Sequence, residues 1–499
     1  MTRRPSRVLA PLWAAASVLA TLDAGAAERD EGRTSRLLAG ITTLSADAWQ
    51  GRRAGTAGAD RAADWIAAQF QAAGLEPGGD AGYDQRFVFI DGAKLGEANR
   101  LTAAGRRYRV TKDFQPLALS TRGEAAGPIV FAGYGIVAPD LSYDDYAGLD
   151  VRGKVVLVLR HGPRWGTGDS PWERFLGLRR KALTAHRQGA AALLITTGPE
   201  TPTGDELVPF SIDAALGDAG LPVLSIKRDV AKHLFYGSGR SLSAAQQRID
   251  ETGKPASMRL AMSASLEADV HPTRAVTQNV IGVMRVPGAE ESLVIGAHYD
   301  HLGRGGPGSM SEDDSVHHGA DDNASGTAAL IELARSLAPR TRSLKRNIVF
   351  IAFGAEEFGL LGSAHFVKHP TFPLDTAVAM ANLDMIGRLG PNALGVFGVG
   401  TSPVWRDFVE TANENLGLPL TLHDTGYGPS DHASFFAAGK PVLFFFTGLH
   451  SDYHRPTDTA DKIDVVGVGR IVSLAEQLLA ALATSEAPIP FVDPAGVTW

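Results

Sequence analysis

Apolar residues early in the chain recur at helical spacing. Leu37, Leu38, Ile41 and Leu44 form one set and Ala62, Ile66, Phe70 and Ala73 a second, with Gly74 as a stop. Helix is therefore predicted from about Arg33 to Gly74. After the break-rich Pro77-Gly78-Gly79-Asp80, alternation predicts a strand over Arg86–Ile90. Between about residues 118 and 262 the texture changes. Short β-branched runs (Ile129–Phe131, Lys154–Leu159, Ala192–Ile195, Val223–Ile226) are punctuated by Gly and Pro around a helical stretch at Lys181–Gln188. This is the pattern of a compact β-rich domain inserted into another. From Ala275 onward strand, loop and helix repeat. Strands are predicted at Ser292–Ala297, Asn347–Phe353, Ala377–Leu383 and Pro441–Thr447, and an amphipathic helix at Thr327–Leu337. That rhythm implies an α/β layered sheet with helices on both faces, and such sheets gather ligands at the carboxyl ends of their strands.

Those ends carry a consistent chemistry. The first strand runs into His298-Tyr299-Asp300-His301, and the loop before the amphipathic helix holds Asp321-Asp322. The second strand leads to Glu356-Glu357, the third to Asp384, and Tyr453-His454 follow the last. Singly, each has an ordinary reading as a cap, a turn residue or a complement to a helix dipole. Jointly they place His, Asp, Glu, Asp and His on one sheet edge, where burial is costly unless something compensates the charge. If Asp322, Glu357 and Asp384 hold two Zn²⁺ with neutral His298 and His454, four positive charges meet three negative ones, and a bridging hydroxide neutralises the remainder. Imidazole and carboxylate donors suit zinc. At this point Asp321 and Asp322 are both eligible. Glu356, beside a ligand, suits a general base. Asp300 and Asp458 are placed to fix the tautomers of His298 and His454, and Tyr453 to donate to a tetrahedral oxyanion.

The chain has 499 residues, too many for one ordinary core, and a formal net charge of −7 with no long basic run, which argues against a nucleic-acid partner. It has no cysteine, so any metal rests on His, Asp and Glu. At the start, Arg3, Arg4 and Arg7 precede the apolar Val8–Leu22 and the small residues Ala24-Gly25-Ala26-Ala27. Residues 1–27 thus have the layout of a cleavable export signal. The expected location is periplasmic or secreted, with no stable membrane association after cleavage.

The segments Gly296–Gly303, Gly319–Gly326, Phe353–Ser363, Asn382–Arg388, Ser430–Phe435 and Tyr453–Thr459 together resemble the co-catalytic di-zinc exopeptidases: bacterial aminopeptidases, plasma glutamate carboxypeptidase and glutamate carboxypeptidase II. The resemblance implies a zinc-exopeptidase three-layer α/β/α sandwich with a mixed, mostly parallel sheet, and two Zn²⁺ per chain. One zinc takes His298 and Asp384, the other takes Glu357 and His454, and the family spacing selects Asp322 as the bridge. Glu356 matches the general base, and Arg388, Asp431 and His432 are expected to contact substrate. The insert, expected over 118–262 between a 28–117 arm and the 263–499 main domain, resembles a protease-associated domain. Its matching features are Phe131–Ile136, the turn from Asp144 to Gly153, and Lys181–Ile195.

The expected activity is removal of N-terminal residues from peptides or dipeptides. A carboxypeptidase or dipeptidase is the nearest rival and would need a cationic pocket, for which Arg388 and Arg455 are candidates. Glutaminyl cyclisation and a non-catalytic receptor-like role are the remaining alternatives.

Overall fold

The computed structural model describes residues 31–494, apart from 104, 166–170, 211–217, 307 and 312. The expected export signal at 1–27 lies outside the described residues. The chain divides into two compact units, one of Met1–Phe87 with Val276–Trp499, the other of Val88–Ala275.

In the first unit the expected single helix is two. Helix α1 covers 31–44 and α2 covers Ala57–Ala72, separated by an irregular turn. Periodicity missed the break because apolar spacing is blind to backbone sign: Gln50, Gly51 and Arg52 all have positive φ (52°, 67° and 46°), which no right-handed helix tolerates.

Seven of the nine described sheet strands are β1 (Val270–Met284), β2 (Ser292–His298), β3 (Asn347–Phe353), β4 (Ala377–Leu383), β5 (Leu394–Phe397), β6 (Leu420–His423) and β7 (Val442–Phe446), and Glu76–Pro77 and Asp84–Leu95 pair with β1. Their spatial order is β1-β3-β2-β4-β7-β5-β6. The central β3, β2, β4 and β7 run parallel, whereas β1 and β5 join antiparallel to β3 and β7. His298 pairs with Phe353, and Gly296 with Asn382, so three ligand-bearing strands end side by side. The later helices are α3 (Gly326–Leu337), α4 (Leu361–Lys368), α5 (Trp405–Asn413), α6 (His432–Ala437) and α7 (Val465–Thr484).

Alternation sorts the core into two layers. Leu293 and Ile295 face Ile66 of α2, Leu330 of α3, Val409 of α5 and Ile471 of α7. Val294, Val349 and Phe353 face Phe366 of α4 and Phe435 of α6. Burial on both faces is why β3 reads as an unbroken apolar run. The result is the three-layer sandwich implied by the sequence. Helix α7 is long and apolar enough to span a membrane by length and composition, yet Val468, Leu474, Leu478 and Leu482 lie buried in the first of these core layers.

The second unit is wider than 118–262. It gains Arg100–Ala103 and Phe114–Pro116 on one side and the full length of Met258–Ala268 on the other. These complete an eight-stranded mixed sheet, in which Met258–Ala268 pairs with both Arg100–Ala103 and Gly123–Phe131. Separate apolar clusters cover its two faces.

Candidate metal centre

The candidate site is built at the carboxyl ends of β2, β3 and β4, from the loop before α3 and from the segment after β7. His298 closes β2. Its Nδ1–H donates to the Asp300 backbone carbonyl (3.2 Å), which turns Nε2 toward Asp322 Oδ1 at 3.3 Å and Asp384 Oδ1 at 3.1 Å. His454 is held the same way. Its Nδ1–H donates to the Gly308 carbonyl (2.7 Å), and Nε2 faces Asp322 Oδ2 at 3.2 Å and Glu357 Oε2 at 3.3 Å. Asp322 therefore offers one oxygen to each histidine. Asp321 points elsewhere: Oδ1 accepts the Gly387 amide (2.6 Å) and the Ser325 hydroxyl (3.0 Å), and Oδ2 lies 3.2 Å from His450 Nε2.

The six side chains at the centre (His298, Asp322, Glu356, Glu357, Asp384, His454) are only 1–13% exposed. Among the described residues no Lys or Arg forms an ion pair with their carboxylates; their close cationic partners are histidines. Burial resists protonation of His454, but its hydrogen bonds to Asp322 and Glu357 outweigh that and push it up to about 11. Burial likewise opposes protonation of His298, and the charges of Asp384 and Glu356 overcome it and hold it well above the usual range. Burial raises Glu356 well above an ordinary carboxyl, with Glu357 and Asp384 adding to the shift against the opposing pull of His298. A set of buried carboxylates that recruits protons onto histidine is one that a divalent cation would satisfy, and its mixed N and O donors fit zinc.

Backbone conformation serves the same end. Ala355, Met385 and His454 are non-glycine residues with φ of +58°, +49° and +54°, immediately before Glu356, immediately after Asp384 and at His454 itself. Such conformations cost roughly 1–3 kcal/mol each and persist only where surrounding structure enforces them.

Several supporting roles differ from expectation. The Asp300 carboxylate lies 4.0 Å from His298 Nδ1 and instead accepts the Glu356 amide at 3.0 Å, so it caps the turn carrying the proposed base. In an extended strand end, the carbonyl was nearer to the imidazole than the side chain. Asp458 does not touch His454. Its Oδ2 accepts the amides of Asp321 (2.8 Å) and Asp322 (3.1 Å), fixing the loop that carries both. Its Oδ1 pairs with Arg388 at 3.0 Å, and Asp452 lies 3.3 Å from the same guanidinium. Arg388 is thus neutralised from two sides rather than presented to a substrate carboxylate.

Asp431 and His432 are wholly buried, so both stand behind the site instead of touching substrate. Burial pushes Asp431 up to about 7 and His432 down to about 3, and the latter ring stacks on Phe444 at 4.3 Å. Tyr453 stacks on the His454 ring at 3.8 Å, and burial with the neighbouring carboxylates raises its phenol above the usual value.

Three further residues support the centre. Ser430 donates to Asp384 Oδ2 (2.7 Å) while accepting from the Asn382 amide group (2.8 Å). Wholly buried His301 lies 2.7 Å, through Nδ1, from Glu357 Oε1, a hydrogen-bond distance that orients the carboxylate, and only 3.8 Å from Asp322. Arg52 is the third. Fully buried, it donates to the carbonyls of Tyr299 (2.8 Å), His318 (2.8 Å), Gly319 (2.9 Å) and Leu44, tying the end of α1 to the loops beside His298 and Asp321. Burial pulls it down to about 10, with the Asp322 and Asp300 charges opposing. Arg52→Leu leaves those carbonyls without a donor and is expected to cost about 3–5 kcal/mol in urea unfolding. Arg52→Lys should recover only part of it, since an ammonium cannot reproduce the planar fork. Equal stability of all three proteins would show that the guanidinium has no such role.

With the geometry in place, comparison with known proteins gives residues 279–479 as a match to Peptidase family M28 and residues 124–234 as a match to the PA domain. The match to Peptidase family M28 takes in strands β2 to β7 and helices α3 to α6. Over 346 residues, 66% of this chain and 63% of that one, the sequence is 30% identical to Aminopeptidase YwaD of Bacillus subtilis. It is 28% identical to Leucine aminopeptidase 1 of Pyrenophora teres f. teres, over 49% and 64%. This chain thus spans less than two thirds of the length of these curated relatives. Among solved structures, BSAP, a zinc aminopeptidase from Bacillus subtilis, superposes with a TM-score of 0.53 at 26% identity, covering 91% of this chain and 96% of that one. The six central residues all lie within the segment matched to Peptidase family M28.

Proposed function

We propose that this chain is an exported aminopeptidase, periplasmic or secreted, that removes N-terminal residues from peptides using two zinc ions. The observation that carries the reading is Asp322, whose two oxygens each face a different histidine, so that one carboxylate serves two donor sets. Export rests on the pattern of residues 1–27. The choice of the amino end rests on the names of the relatives.

Zinc in such a site supplies Lewis acidity to the scissile carbonyl and makes water acidic near neutral pH. The protein's own residues do the rest. Glu356 takes the proton of the attacking water and returns it to the leaving amine, and the Asp300 bond to its amide holds it in place. Asp384, oriented by Ser430, receives the substrate's free α-amine in this reading. Tyr453, kept protonated, donates its hydroxyl to the oxyanion.

The test is a comparison of Leu-Gly-Gly with its N-acetylated form, reading the amino acid released. The expected outcome is free leucine from the unblocked peptide and no hydrolysis of the blocked one. Turnover of the acetylated peptide alone would overturn the aminopeptidase reading.

A further inference from the structure

A cavity of about 620 Å³ opens in the first unit where the turn before α2 meets the loop leaving β2. Arg53, Arg61 and Arg304 line it, with Thr56, Ala57 and Gly58 at the start of α2. Among the described residues lining it none carries a carboxylate. Guanidinium groups remain charged at any physiological pH, so three fixed cations border the cavity. Thr56 adds to this by what it does not do. Its hydroxyl donates to the Arg53 carbonyl (2.7 Å) and leaves the first-turn amides of the 16-residue α2 without a side-chain cap. Uncapped amides at a helix start favour an anion, here beside arginines that favour one independently.

The cavity adjoins the segments that carry the chemistry. Gly303 follows His301 by two residues, and its amide donates to the Gly51 carbonyl at 2.9 Å. A side chain at Gly303 would meet Arg53 Cβ at 2.8 Å, with φ at +70°, so this approach of loop to turn requires glycine. Arg53 lies 4.6 Å above the ring of Phe358, the residue after Glu357. Arg61 is anchored through one nitrogen to the Ala48 carbonyl (2.6 Å), and exposed Arg304 completes the rim.

We infer that this cavity is a subsite for a carboxylate on the substrate, downstream of the scissile bond. The inference rests on the exopeptidase reading and names its substrate class: short peptides whose C-terminal carboxylate, or an acidic side chain, reaches the arginines. Both sources present the same planar anion to a guanidinium fork.

Calorimetry on the zinc-loaded Glu356→Gln protein reads the subsite without turnover. Leu-Gly-Gly, its C-terminal amide and Leu-Gly-Glu amide are compared, with and without the further changes Arg61→Ala and Arg304→Ala. The expected result is binding of one or both anionic peptides about tenfold tighter than the neutral amide, with the difference lost in the arginine variant. Advantage for Leu-Gly-Gly alone assigns the terminal carboxylate; advantage for Leu-Gly-Glu amide alone assigns the side chain. In the otherwise wild-type enzyme the same pair of changes should raise KM for the anionic peptide about tenfold and leave kcat, and all constants for the neutral amide, unchanged. Equal affinity for all three peptides, or a difference that survives loss of both arginines, overturns the subsite. Failure of the enzyme to release leucine from the neutral amide would instead count against the aminopeptidase reading, while the calorimetric difference still decides the cavity.

Discussion

Glu356→Gln is expected to lower kcat by about 10³-fold while the protein retains its full complement of zinc. Glu356 Oε2 lies 4.0 Å from His298 Nε2, beside the ligand set yet outside the close contacts that Asp322 and Asp384 make with that ring. Its amide is anchored by Asp300, so the substitution keeps the turn and changes only the proton-accepting group. The amide of glutamine cannot take a proton from water, and no described carboxylate with an equivalent position replaces it. KM should move little, because the loss falls on a step that follows binding. Zinc analysis by atomic absorption on the same sample separates this outcome from simple loss of metal. Unchanged turnover would remove Glu356 from the reaction.

The second large effect is expected at Asp322 and has the opposite metal signature. Asp322→Ala removes the oxygen 3.3 Å from His298 and the oxygen 3.2 Å from His454 in one step. Both donor sets lose a member, so the purified variant should keep neither zinc through dialysis, and activity should fall at least as far as in Glu356→Gln. In the metal-free protein Asp322 is held well below the usual carboxylate range; burial opposes this, and its bonds to His298 and His454 prevail. Retention of one zinc at full occupancy would mean that the carboxylate serves a single site.

Most of this centre was legible in the linear sequence, for a physical reason. A strand buried on both faces is an apolar run, and the first ionisable residue after it sits at the sheet edge. His298, the Glu356-Glu357 pair and Asp384 could therefore be placed from β2, β3 and β4 alone. Strand position left Asp321 and Asp322 equal, and only the family spacing favoured Asp322. Neighbours in sequence diverge here because one carboxylate turns in to Gly387 and Ser325 and the other turns out to the two histidines. Proximity along the chain also misassigned Asp300 and Asp458, since a histidine N–H takes the nearest acceptor in space, which was a backbone carbonyl in both cases. Arg52 and Ser430 gave no local signal. Their value lies in partners 247 residues away, at Tyr299, and 46 residues away, at Asp384. The helix expected through residue 50 failed for a related reason, because a left-handed turn leaves no mark on hydrophobic spacing.

In the proposed centre a single carboxylate is shared between two metal ions. Anomalous diffraction recorded on both sides of the zinc absorption edge, from crystals of the zinc-loaded enzyme, addresses that directly. The predicted result is two peaks about 3.5–4 Å apart, with the Asp322 carboxylate between them, one beside His298 and Asp384 and the other beside Glu357 and His454. A single peak, or two peaks of which only one touches Asp322, would contradict it.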